Sequence, residues 1–359
     1  MAPVGAGRTT AAGDRHRYGG EEHPPPGVSP PWPPGSATGV GSLPGTDPRE
    51  AARLVLGELP DLPFLPELPA RGAHADLAGR GLALLADLPV DLQPSGWRLV
   101  PRAGRDSRRA QDLLARDLDA IEEAAQTAPP VRLKVQAPGP WTLSTLVELP
   151  RGDRVLGDSA AGHDLAASLA EGLRLHLADL GRRLPGTELL LQLDEPSLPA
   201  VLAGRVPSAS GFGRLRTPGE QEVTEVLRSV LQVAPSTVVH CCAPRPPVGL
   251  LAAAGPTGLS LDATVLTPYD DDAVGEAVEA GVGLLLGVLP GTDGPLSDLD
   301  ARIAPVKAMW GRLGLDSTAL PGAVVVTPSC GLAGATPDYA RAALAACVEI
   351  GRRLHEAPE

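Results

Sequence analysis

Thr237-Val-Val-His-Cys-Cys242 is a short run of β-branched residues that stops on metal-ligand side chains. β-Branched residues suit a pleated strand. Successive strand side chains point to opposite faces, so His240 and Cys242 share one face and Cys241 takes the other. Two later runs stop in the same manner. Gly258-Leu-Ser-Leu-Asp262 ends on a carboxylate, and Val324-Val-Val-Thr-Pro-Ser-Cys330 ends on a thiol followed by Gly331. Imidazole, thiolate and carboxylate are all zinc ligands, and His240, Cys242, Asp262 and Cys330 would fill a tetrahedral shell. Such a set, spread over three strand ends, needs a fold that gathers those ends at one mouth.

Working outward, the chain offers eight strand candidates, at 37–42, 97–100, 131–136, 188–193, 237–242, 258–262, 282–288 and 323–328. A helix candidate follows each one. Asp47 and Pro48 open the first, and Thr217 reads as the cap of a helix over 218–233. Strict alternation of this kind predicts a single-domain α/β fold, a (β/α)8 TIM barrel over 36–359. A doubly wound open sheet is the alternative, but it would not bring strands five, six and eight together. Leu62-Pro-Phe-Leu-Pro-Glu-Leu-Pro69 is too proline-rich for a regular strand and reads as a long loop. Residues 1–35 are rich in Gly, Pro, Arg and Glu and predict a disordered tail, with Trp32 loose.

The 359 residues, 43% of them hydrophobic, can bury one large core. The net charge of −12 and the absence of a basic stripe argue against nucleic-acid binding. No apolar run is long enough for a membrane span, and no signal peptide is visible. Four cysteines in a chain of this length do not make a disulfide scaffold. The pattern suits a metal site in a reducing, cytoplasmic setting. Cys241 should face the helices, and Cys347 should pack within one.

Three further constellations stand at strand ends. Leu191-Gln-Leu-Asp-Glu-Pro196 carries two adjacent acids. They read either as a helix cap or, for Asp194, as a catalytic-site acid that binds a cationic group such as an α-ammonium. Gly39-Val-Gly-Ser42 is either a plain turn or a backbone nest for a carboxylate, which makes Gly41 and Ser42 substrate-binding candidates. Trp141 reads as core packing or as a stacking surface for a flat ligand. Glu67 and Arg71, in the proline-rich loop, could reach the mouth. A thiolate-rich zinc shell is a poor activator of water and suits capture of a substrate thiol, which is mostly protonated at neutral pH when free.

Four segments in order, Thr38-Gly-Val-Gly-Ser-Leu-Pro44, Gln192-Leu-Asp-Glu-Pro196, His240-Cys-Cys242 and Thr327-Pro-Ser-Cys-Gly-Leu332, resemble the catalytic domain of the cobalamin-independent methionine synthase family. That group of barrels also includes uroporphyrinogen decarboxylase. The resemblance implies a zinc-dependent S-methyltransferase in which a homocysteine thiolate takes a methyl group from a methyltetrahydrofolate to give methionine. It implies zinc ligands at His240, Cys242 and Cys330, with Asp262 standing where the family has a glutamate. It implies that Asp194 binds the substrate amine and that Ser42 lies in the carboxylate-binding segment. Two departures stand out. The family's full-length enzymes carry an extra N-terminal barrel. The family's Asp-x-His at the end of strand seven is replaced by Leu286-Gly-Val288. Other donors, including a corrinoid protein, are therefore open, as are a decarboxylase or thiol-cofactor lyase and a non-catalytic zinc- or thiol-binding homologue.

Overall fold

The computed structural model describes residues 1, 30–208 and 213–357. Among these the strands are β1 Val90–Gln93, β2 Gly96–Leu99, β3 Arg132–Pro138, β4 Val147–Glu148, β5 Glu188–Asp194, β6 Thr237–Cys241, β7 Gly258–Asp262, β8 Gly283–Leu289 and β9 Val324–Pro328. The order β3-β5-β6-β7-β8-β9 makes one parallel sheet, curled so that one face encloses an interior. Helices connect its strands on the outside. Strands such as β8 and β9 are nearly continuous apolar runs because they are covered on both faces, whereas β3 alternates polar and apolar residues.

The sheet's two edges, β3 and β9, are not bare. Thr38 N donates to Val326 O at 3.0 Å and Val326 N to Ser36 O at 3.0 Å. On the other side, Leu65 N donates to Lys134 O and Lys134 N to Pro63 O, both at 2.8 Å. The two covering segments also bond to each other, Leu43 N to Glu67 O at 2.9 Å and Glu67 N to Gly41 O at 3.1 Å. The proline-rich stretch expected as a loop therefore lies beside β3. Its prolines sit where no ladder N–H is needed, as on any edge.

One predicted strand is elsewhere. Residues 97–100 fall in β2, which pairs antiparallel with β1 and parallel with β4 in a separate three-stranded sheet. Its alternating pattern does specify a strand, but a local hairpin satisfies it. The helix expected over 218–233 runs Glu220–Leu231 with Gly219 at its N-cap, so Thr217 does not cap it. Asp47 caps the first helix as expected, accepting from Arg49 N at 2.8 Å.

Outward side chains such as Leu133, Leu191, Val239, Cys241 and Leu284 pack against the helices. Inward, Leu190, Val238, Leu285 and Val325 form a separate apolar cluster with Trp32 and Leu62. Trp32 is thus not loose. It is buried, and its ring lies against the first residues of β7 and β8, where a Cβ on Gly258 or Gly283 would come within 2.8 or 2.3 Å of it. Residues 2–29 of the expected tail lie outside the described residues. Above this floor the interior turns polar.

Candidate metal centre

The interior row is set by strand register. Asp194 stands beside His240, and His240 beside Ser260. Neighbours in register on parallel strands share a face, so all three point inward. His240 is buried, and its Nδ1 lies 2.9 Å from Ser260 Oγ. That contact leaves Nε2 as the ligand atom, and Nε2 is buried with no hydrogen-bond partner among the described residues. Cys242 follows the end of β6, and Cys330 stands two residues past β9, with their sulfurs 3.6 Å apart. The ring nitrogen and the two sulfurs all lie within 4.8 Å of one another.

This donor set fits a zinc ion. An orphaned imidazole nitrogen is the kind of group a metal satisfies. Two sulfurs on a tetrahedral zinc, each at about 2.3 Å, would stand about 3.8 Å apart, close to the spacing seen. The Cys242 thiol, hydrogen-bonded to Cys330 and half-buried, is pushed well up, while Cys242 and His240 hold the Cys330 thiol down to about 4. Burial runs from His240 inside to Cys330 at the surface, so one side of the cluster is open. Cys241 and Cys347 are buried elsewhere, where burial raises their thiols and leaves them inert.

Asp262 is not brought into the cluster. Its Oδ1 accepts from Thr264 N at 2.8 Å and from Thr264 Oγ1 at 2.6 Å, which shapes the turn after β7. Ser42 does arrive. A Cβ added at Gly331, next to Cys330, would lie 2.0 Å from Ser42 Oγ, and Leu332 N donates to Ser42 O at 2.8 Å. Gly41 sits on Gln136, whose Cγ would be 2.7 Å from a Cβ there. The Gly-Val-Gly segment is therefore glycine for close approach. Neither glycine adopts a positive φ.

The two adjacent acids divide. Asp194 faces the interior, and Glu195 faces out toward the helix Pro140–Leu146. Glu195 accepts from Trp141 N at 2.9 Å and from Thr142 N and Oγ1, both at 2.7 Å. Burial raises its carboxyl to about 7 against those donors. Asp194 is also raised to about 7 by burial, opposed by His240, Gln192 and Lys134. Trp141 is buried and donates through its indole to Val223 O at 3.3 Å, so it packs and offers no stacking face. Arg71 is bidentate to Asp117, at 2.7 and 2.8 Å. Glu67 is buried beside Arg80, Nε to Oε1 at 3.2 Å.

Sequence reading passed over Lys134, Gln136, Gln192 and Ser260, which line the interior with these groups. The signal was present. Polar residues at 134 and 136 alternate with Leu133 and Val135 on one strand, and 192 and 194 do the same on β5.

The curled parallel sheet with a His-Cys-Cys cluster at the C-terminal ends of its strands defines an α/β protein with a metal-type centre. Comparisons with known proteins point the same way. No family model matches the chain. The 5-methyltetrahydropteroyltriglutamate–homocysteine methyltransferase of Nitratidesulfovibrio vulgaris is 31% identical over 208 residues, covering 55% of this chain and 24% of that protein. The chain therefore spans about a quarter of the curated relative it matches. A B12-independent methionine synthase structure from a Shewanella species superposes with a TM-score of 0.58 over 90% of this chain and 98% of that one, at 11% identity. That second likeness is one of fold. The resemblance carried by the four motifs is thus matched by a sequence relative.

Proposed function

We propose that the protein is a zinc-dependent S-methyltransferase that methylates homocysteine or a related thiol. The observation that carries this reading is the convergence of His240 Nε2, Cys242 Sγ and Cys330 Sγ, with Nε2 buried and unpartnered. His240, Cys242 and Cys330 would hold the zinc, which would supply a substrate thiol as thiolate at neutral pH. Asp262, its carboxylate engaged by Thr264, stays outside this set. Ser260 fixes the His240 ring through Nδ1. Asp194 takes the substrate's ammonium in a dry interior where a single charge pair counts for more than in water. Gly41 and Ser42 take its carboxylate. The substrate sulfur forms the new C–S bond as the donor's bond to the methyl carbon breaks, and that electron pair leaves with the donor.

A methyltetrahydrofolate is the donor favoured by the sequence relative. A corrinoid protein or other methyl donor is the second choice, because the last residues of β8, Leu286-Gly287-Val288-Leu289, include no acid or base to protonate a leaving amine. For the fold, we take Ser36–Leu43 and Pro63–Glu67 as the first two strands of a closed (β/α)8 barrel. Their hydrogen bonds to β9, to β3 and to each other support that reading. The test is metal analysis with turnover. About one zinc per purified chain is expected, sharply reduced in Cys330→Ser. Purified zinc-loaded protein should convert homocysteine to methionine with one of the methyl donors. No zinc bound under reducing, metal-replete conditions would sink the proposal.

A further inference from the structure

We infer that Lys134 and Gln192 are positioning residues that hold Gly41-Ser42 at a set span from Asp194, and that this span selects a thiol carrying ammonium and carboxylate on one carbon. The inference rests on the proposed roles of Asp194 and Gly41-Ser42 in taking the amino-acid end of the substrate. The Val40 carbonyl oxygen accepts from two buried side chains, Lys134 Nζ at 2.8 Å and Gln192 Nε2 at 3.0 Å. The same Gln192 Nε2 donates to Asp194 Oδ1 at 2.7 Å. One amide thus ties the acid to the residue before Gly41. Because a trans peptide is planar, holding the Val40 C=O inward turns the Gly41 N–H away from both side chains.

Lys134 has no exposed surface. Its Nζ also reaches Gln136 Oε1 at 3.4 Å and lies 5.5 Å from the centre of the Phe64 ring. Phe64 in turn occupies the space of a Cβ at Gly39, 2.4 Å away. A buried ammonium is costly, and a methionine of similar length would fill the volume without that cost. What an apolar chain cannot do is fix the direction of a carbonyl. Burial brings the ammonium's pKa down to about 8, with Asp194 and Glu67 opposing the fall, so it stays mostly charged at neutral pH. Neither Lys134 nor Gln192 belongs to the metal cluster.

Calorimetric titration of the zinc-loaded protein with homocysteine and with propanethiol separates the possibilities. Propanethiol has the sulfur and no amino-acid end. Lys134→Met and Gln192→Met should each weaken homocysteine binding by about 10- to 100-fold, the range for losing a hydrogen bond to a charged group, and leave propanethiol affinity and zinc content within about twofold. A general loosening of the fold would weaken both thiols alike. Unchanged homocysteine preference in a folded variant would overturn the inference while leaving the proposed activity standing. No preference for homocysteine in the unaltered protein would overturn the pocket reading and the inference with it. If Lys134→Met does not fold, Gln192→Met, which removes no charge, decides.

Discussion

Glu195 shows what one residue's surroundings dictate. It has no exposed surface and caps a helix start with three accepted hydrogen bonds. Its folded pKa of about 7 stands above the ordinary 4.5 because burial penalises the charge. The folded state therefore holds a proton that the unfolded chain has released. This contribution is complete below about pH 4.5 and is lost as pH rises through about 7, on the order of 3 kcal/mol. Glu195→Gln should flatten that loss in urea unfolding followed from pH 4.5 to 7.5. Asp262→Asn makes a sharper statement about the centre. With the carboxylate engaged by Thr264, zinc content should stay within about twofold of the unaltered protein, whereas a true ligand would cost at least tenfold. A strong loss measured by metal analysis would return Asp262 to the set.

At the scale of elements, Trp32 fills the floor between β7 and β8 in the space left by two glycines. Trp32→Ala should cost about 3–5 kcal/mol in urea unfolding and leave zinc binding at the opposite end intact. Its role was hidden in the sequence because composition marks a segment as poor in apolar residues without showing that one large ring has a socket. The six parallel strands were legible because each is a strand-prone run, apolar or alternating, bounded by turns. The segment at 37–42 was legible as a strand, although it touches its neighbours only through isolated bridges, whereas Pro63–Glu67 was not, since its prolines break the strand pattern. Residues 97–100 were recognised as a strand and assigned to the wrong sheet. Periodicity reports that a strand exists, and pairing is decided by tertiary contacts. His240, Cys242 and Cys330 were legible because ligand chemistry at strand ends needs no long-range knowledge beyond the fold. Lys134 and Gln192 were not, because a polar residue on a buried strand has meaning only once its partner, here Val40 O, is in place.

For the molecule as a whole, the centre joins distant parts of the chain, β6 and its end through His240 and Cys242, and the segment after β9 through Cys330. A ligand that binds only the folded state stabilises all of it. Zinc at a hundred times its dissociation constant should add about 2.7 kcal/mol to unfolding, and a chelator should remove it. Cys330→Ser should lose most of that increment in thermal scans with and without metal. Among the described residues no helix is long and apolar enough to cross a membrane. The bonds between Thr38 and Val326 have a consequence during biosynthesis. They join segments far apart in the sequence. On the ribosome, Ser36–Leu43 emerges before β9 and must wait for that partner strand. Until Cys330 also leaves the exit tunnel, His240 and Cys242 offer metal only an incomplete chelate, so full loading waits for the segment after β9.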